Sequence, residues 1–307
     1  MKRVLILRLS ALGDVIHTIP AVVALKQAMP DADFSWVVES PYAELVGIVA
    51  GVRAVPVRLK RWSRKPFAFR ADMRGAARAI RGCDVSVDFQ GLMKSAGIGW
   101  LSRAPERYGF APEAIRERGA VAFTNRRIPV DQSRHVIEWN LQLAEAVAPI
   151  RPVDVDWTAF PDDPSGRLAR LGDRVVLLPG AGKPHKQWPA DRFRDLAARH
   201  RDRALVVWGP GERGLAEEIG AEVAPETNLR ELAWLLRHAS VVVGADTGPL
   251  HLAAALGTRV VGLYGPTDPR RNGPYGQLDR VVSDYGGKRS MASIGVDAVA
   301  RRVAELK

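Results

Sequence analysis

Asp246-Thr247-Gly248-Pro249-Leu250-His251 follows the apolar run Val241-Val242-Val243-Gly244 and leads into the small-residue stretch Leu252 to Gly257. A buried strand passing through Asp-Thr-Gly into an Ala-rich helix brings a carboxylate, a hydroxyl and unpaired backbone N–H groups to one point, which suits an anion. Asp246 would itself repel phosphate. The expected arrangement therefore has the N–H groups and Thr247 gripping a diphosphate, while Asp246 orders the turn or accepts from a ligand hydroxyl. An ordinary helix cap, worth about 1 kcal/mol, is the plainer alternative for the same residues.

Working outward, short Val/Ile/Leu runs alternate with segments of helical period, the pattern of a parallel sheet covered by helices. Strands are expected at 4–9, 34–38, 54–57 and 85–88, and again at 175–178, 204–208, 241–244 and 260–264. Helical spacing is carried by Val15, Ile19, Val22 and Val23, by the Ala- and Arg-rich stretch 70–81, by Leu229, Leu232 and Leu236, and by Val296, Val299, Val303 and Leu306. Between the two sets, Pro149, Pro152, Pro161 and Pro164 resist both helix and central strand. The expected division is thus two α/β domains, 1–160 and 161–307.

The 307 residues, 47% hydrophobic and 26% charged, describe a globular chain with room for two cores. No apolar run approaches the length of a membrane-spanning helix. Met1-Lys2-Arg3 before Val4-Leu5-Ile6-Leu7 mimics a short signal peptide, but Arg8 interrupts it, and a first strand is the better reading. A lone Cys83 excludes an internal disulfide and suits a reducing cytosol. The 45 basic against 34 acidic side chains give a formal charge of +11, which calls for nucleic acid, an anionic membrane surface or an anionic substrate without choosing among them.

In an open parallel sheet, ligands gather at the carboxyl ends of the strands. After the first strand stands Ser10-Ala11-Leu12-Gly13-Asp14, where Asp14 is either a helix cap or a general base. No G-x-G-x-x-G follows, against a nicotinamide or flavin site. Asp88-Phe89-Gln90-Gly91-Leu92-Met93-Lys94-Ser95 adds polar groups to the same edge. Between these, ten basic residues from Arg53 to Arg81 meet only Asp72, with Trp62, Phe67 and Phe69 interleaved. That pattern exceeds a solvated face and points to an anionic partner, whether nucleic acid by stacking or a membrane interface.

The second half offers Pro179-Gly180-Ala181-Gly182-Lys183-Pro184-His185-Lys186-Gln187-Trp188-Pro189. A Walker A loop is ruled out, since Leu177 stands where the first glycine belongs and a proline follows Lys183. A glycine turn with cations remains. Lys183 reads as solvated, and Lys186, beside Trp188, as a diphosphate ligand. Glu212, in Trp208-Gly209-Pro210-Gly211-Glu212, serves equally as a ribose acceptor or as a carboxylate at a helix start. Tyr264-Gly265-Pro266-Thr267-Asp268-Pro269 shapes a wall.

Taken in order, these motifs, with Pro20, Trp36-Val37-Val38-Glu39 and Lys60-Arg61-Trp62, resemble the ADP-heptose lipopolysaccharide heptosyltransferases over nearly the whole chain, most of all the members that add the first heptose to the Kdo of lipid A. The resemblance implies a GT-B fold, two Rossmann-like parallel-sheet domains facing a central cleft, the first binding acceptor and the second the nucleotide sugar. It implies an inverting, metal-independent transfer from ADP-heptose to Kdo-lipid A, with no cofactor. Asp14 matches the catalytic base and Lys186 the diphosphate lysine, also catalytic. Glu212, Asp246, Thr247, Gly248 and His251 fall in the donor site. Lys60, Arg61, Arg64 and Lys65, with Gln90 and Lys94, fall where the acceptor is held. Pro249 stands where some members have Leu, and the Trp208–Glu212 spacing is one residue short of the family's. A monomer on the cytoplasmic face of the inner membrane is the expectation, with an anionic membrane surface and no nucleic acid as partner. The alternatives are the second heptosyltransferase, another GT-B transferase, or a basic nucleic-acid or membrane-surface binding protein. The last leaves the glycine turns after four strands unexplained.

Overall fold

The computed structural model describes residues 1–58, 76, 79–160 and 166–306. The chain divides into two compact units, Met1–Ala159 and Phe160–Lys307.

The first unit holds a six-stranded sheet of β1 (Arg3–Leu7), β2 (Asp33–Glu39), β3 (Val52–Val57), β4 (Val85–Asp88), β5 (Glu106–Phe110) and β6 (Arg126–Ile128) in the order β3-β2-β1-β4-β5-β6. Every pairing is parallel. The second unit repeats the plan with β7 (Val175–Leu178), β8 (Ala204–Val206), β9 (Glu222–Val223), β10 (Val241–Ala245), β11 (Val260–Tyr264) and β12 (Val281–Ser283), ordered β12-β11-β10-β7-β8-β9 and again all parallel. In each, the chain starts in the middle, builds one half of the sheet and returns to build the other. The order reverses between β1 and β4, and between β7 and β10. Adjacent crossovers leave the sheet in opposite directions there, which opens a crevice at the strands' carboxyl ends.

The central strands are apolar on both faces because helices cover both. Val175–Leu178, Val241–Ala245 and Val260–Tyr264 are buried at every position. Close strand approach governs one glycine: Gly244 pairs in register with Leu178, and a Cβ there would stand 2.9 Å from the Leu178 Cβ. In the first unit, α1 (Leu12–Ala28) is buried along most of its length, and Asn140 on α3 (Val136–Glu145) donates to the His17 carbonyl at 2.9 Å. Cys83 is buried, and burial pushes its thiol up.

The eight expected strands all form, with ends displaced by up to two residues. Sequence reading misses β5, β6, β9 and β12. These lie toward the sheet edges and carry Glu106, Arg107, Arg126, Arg127 and Glu222, so they lack the apolar run that marks a strand buried on both faces. The expected helix at 70–81 falls mostly outside the described residues.

Candidate active site

In the first unit, the loops after β1 and β4 meet at the point where strand order reverses. Arg8 directly follows β1, and its carbonyl accepts the Trp36 indole N–H at 3.1 Å. Its side chain is buried. The guanidinium donates through Nη1 to the Phe89 carbonyl and pairs through Nη2 with Asp14 Oδ1 at 2.6 Å. Asp14 is the third residue of α1, and its Oδ2 accepts the Ala11 N–H at 3.1 Å. Ala11 occupies the cap position, so Asp14 is not the simple cap; it reaches back to the cap's backbone while its side chain stays half-exposed.

Asp88 closes β4 and is wholly buried. Its carboxylate accepts from the Gln90 and Gly91 N–H groups at 2.9 and 3.2 Å and from the Ser95 hydroxyl at 3.0 Å. Burial prevails over these hydrogen bonds and over the charge of Arg8, and lifts the carboxyl to about 6. Gln90 Oε1 accepts the Leu9 N–H at 2.8 Å, so this side chain ties the two loops together. Lys94 is exposed in the first turn of α2 (Met93–Leu101). The expected acceptor residues Lys60, Arg61, Arg64 and Lys65 lie outside the described residues, as do Trp62, Phe67 and Phe69.

In the second unit, the corresponding loops follow β7 and β10. Trp188 is buried, and its indole donates to the Ile294 carbonyl at 2.9 Å, which anchors the glycine turn just before α4 (Ala190–His200). Lys183 and His185 point into solvent. Lys186 turns inward, its Nζ 2.8 Å from Asp246 Oδ2. The other oxygen, Oδ1, lies 3.0 Å from His251 Nε2. Burial alone would push the Asp246 carboxyl up; His251 and then Lys186 outweigh it and hold the group below its ordinary range. Asp246 is thus a buried anion held between two basic side chains, a role the sequence reading did not anticipate.

Thr247 takes the N-cap position of α6 (Gly248–Ala255), yet its side chain does not cap the helix. Its Oγ1 is buried and has no hydrogen-bond partner among the described residues. Pro249 has no N–H, so Gly248 and Leu250 supply the donors of the first turn. Neither Asp246 nor Thr247 therefore behaves as an ordinary cap. A hydroxyl without a partner, the free N–H groups of a helix start and a lysine beside them form a cradle for an anion.

Glu212 stands at the start of α5 (Arg213–Glu218), and its Oε2 accepts the Gly209 N–H at 2.9 Å. The carboxylate lies directly over Gly180: a Cβ there would come within 2.0 Å of Oε2. Glu212 thus abuts the same loop that carries Lys186. Beyond β11, the Tyr264 hydroxyl donates to the Asn272 carbonyl at 3.0 Å, and the Gly265 N–H faces the Met291 sulfur at 3.1 Å, so this turn is a fixed wall. Among the described residues, no three His, Cys, Asp or Glu side chains gather as metal ligands.

The structure gathers Lys186, Asp246, Thr247, Gly248 and His251 at one switch point, and Asp14, Gln90 and Lys94 at the edge of the other sheet. Sequence reading missed Arg8 as a site residue and the burial of Asp88. A lone cation at the end of an otherwise apolar central strand was the available signal for the first.

Residues 73–293 match the profile of glycosyltransferase family 9 (heptosyltransferase). The chain is 30% identical over 320 residues to lipopolysaccharide heptosyltransferase 1 of Escherichia coli strain K12, covering 99% of this chain and 100% of that protein. Among solved structures, it resembles E. coli heptosyltransferase WaaC with ADP at a TM-score of 0.84 and 29% identity, over 99% of this chain and 100% of that one. WaaC with ADP-2-deoxy-2-fluoro heptose superposes at a TM-score of 0.81, with the same identity and coverage. Two parallel sheets of matching strand order, each with polar groups collected at its switch point, and a full-length likeness to these proteins place the chain in glycosyltransferase family 9, the heptosyltransferases.

Proposed function

We propose that this enzyme moves a heptose from ADP-heptose to the Kdo of lipid A, with inversion at the anomeric carbon. The observation that carries this reading is the cradle of Lys186, Thr247 and the α6 N-terminus in the second unit, suited to a diphosphate, in a chain alike from end to end to a lipopolysaccharide heptosyltransferase 1. The first unit binds the acceptor through the basic stretch that includes Lys60, Arg61, Arg64 and Lys65, with Gln90 and Lys94 at its edge. The second unit binds the donor, with Glu212 on the ribose.

In the transfer, an acceptor hydroxyl oxygen attacks the anomeric carbon from the face opposite ADP as the bond to the β-phosphate oxygen breaks. Asp14 takes the hydroxyl proton in the same step, because an alcohol is far too weak an acid to be ionised beforehand by a carboxylate; such help is worth roughly 10²–10⁴-fold. Negative charge moves onto the departing ADP, where Lys186 and the N–H groups of Gly248 and Leu250 stabilise it as fixed donors. These groups suffice for the leaving group, so turnover is expected to survive EDTA. No described helix is long and apolar enough to cross a membrane. Access to a lipid-linked acceptor is then peripheral, on the cytoplasmic face, where a charge of +11 favours anionic headgroups.

The test is incubation with ADP-heptose and Kdo-lipid A, with and without EDTA, followed by mass spectrometry of the lipid. One added heptose in both conditions is expected. Transfer only to an acceptor that already bears a heptose would reassign the enzyme to the second step, and no transfer to either would reject the reading.

A further inference from the structure

Arg8 is a buried cation that none of the ligand contacts above uses. It lies at the end of the central strand of the first sheet, with Trp36 on its carbonyl and its own N–H 3.4 Å from the Val37 carbonyl, so its backbone cannot drift. From there, the guanidinium reaches two groups that differ in kind. One is the Phe89 carbonyl in the loop after β4, a fixed acceptor. The other is Asp14 Oδ1, which belongs to a half-exposed side chain with two free torsions. Arg8 Nε is buried with no hydrogen-bond partner among the described residues. Removing an arginine from water and leaving one donor idle is a poor way to stabilise a fold. It is a good way to hold a carboxylate still.

We infer that Arg8 is the positioning residue for Asp14: its guanidinium, fixed on the Phe89 carbonyl, sets the orientation of the carboxylate that receives the acceptor proton. The Ala11 N–H holds Oδ2 and Arg8 holds Oδ1, so both torsions of Asp14 are defined before substrate arrives. Each oxygen keeps a lone pair that these two donors do not occupy, and the solvent-facing one is available to an incoming hydroxyl. A base pre-aligned in this way avoids the loss that follows when a reacting group strays by about 1 Å, of the order of 10²-fold. This inference rests on Asp14 being the base.

The test compares Arg8→Gln and Arg8→Lys with the parent enzyme in steady-state transfer, with calorimetric titration of ADP and a thermal melt of each variant. Arg8→Gln keeps a donor for the Phe89 carbonyl and loses the two-pronged grip on Asp14. We expect its kcat to fall about 10- to 100-fold while ADP affinity stays unchanged. Arg8→Lys restores a charged donor without the two-pronged grip; it should recover part of kcat. Parent kcat in Arg8→Gln overturns the inference, and so does a loss of kcat with no recovery in Arg8→Lys, the mark of a merely structural role. Should Arg8→Gln melt below the assay temperature, Arg8→Lys decides alone: a severalfold lower kcat with unchanged ADP affinity supports the inference, and parent kcat refutes it. Asp14→Asn, run alongside, separates the two levels. If it turns over normally, the assignment of the base fails; if it is inactive while Arg8→Gln is not, only the role of Arg8 fails.

Discussion

Lys186→Met tests whether the lysine serves the ligand or only its neighbour. In the structure its ammonium sits 2.8 Å from Asp246 Oδ2, with the lysine side chain 24% exposed and the aspartate 8%. Removing one partner of a fully buried pair costs about 3–5 kcal/mol. Here His251 still holds Oδ1 and the lysine end of the pair is partly wet, so about 1–2 kcal/mol is expected. For a unit of this size that is a Tm lowered by roughly 3–8 °C. The sign with pH follows from Asp246. Its carboxyl is held below the ordinary range in the folded chain, so the pairing stabilises fully above the unfolded value of about 4 and is lost as pH falls through the folded one. The gap in Tm between parent and variant should accordingly be widest near neutral pH and shrink below about pH 4. Binding gives the second readout. A charge-assisted hydrogen bond to a diphosphate is worth about 1.5–3 kcal/mol, and in the free enzyme the lysine is partly engaged by Asp246, so ADP affinity should fall about 10- to 100-fold by calorimetry. A lower Tm with unchanged ADP affinity would show that Lys186 exists for Asp246 alone and would refute the diphosphate reading.

Other substitutions separate the two units' roles. Asp14→Asn should still fold and should leave ADP affinity unaltered while turnover drops about 10²–10⁴-fold in a transfer assay; near-normal turnover removes Asp14 from the reaction. Gly180→Ala forces the flexible end of Glu212 off Gly209, costing about 1 kcal/mol and, if Glu212 meets the ribose, a severalfold loss of ADP affinity. Unchanged affinity would exclude that contact. Asp88→Asn removes a carboxyl that keeps its proton to about pH 6 folded but only to about 4 unfolded, a difference that erodes stability as pH rises through that window. The variant should gain about 2–3 kcal/mol by denaturant titration at pH 7.5 and nothing at pH 4; a gain independent of pH would mean that burial does not shift the carboxyl.

Much of the architecture was legible because strands buried on both faces must be apolar throughout. Val175–Leu178 and Val260–Tyr264 form at the residues expected, since no other element explains such runs between turn signals. The same rule hides β9, two residues long and partly exposed, where Glu222 is tolerated. Among site residues, the motif order pointed to Lys186 and Asp246 separately, but not to the contact between them. They stand sixty residues apart in sequence, and only β7 pairing with β10 makes them neighbours. Gly180 and Glu212 tell the same story across β7 and β8.

What could be read from the residues alone was local: periodicity, turn chemistry, and polar groups at the ends of apolar runs, all of which depend on neighbours along the chain. Which of those ends share a crevice depends on strand order, a non-local property. The order β3-β2-β1-β4-β5-β6 sets Arg8 beside the loop after β4, where a cation that reads as an interruption of the first strand becomes the partner of Asp14. Burial works in the same way. Nothing adjacent to Asp88 marks it as hard to ionise; the helices packed over β4 do that, by removing the water that would otherwise solvate its charge.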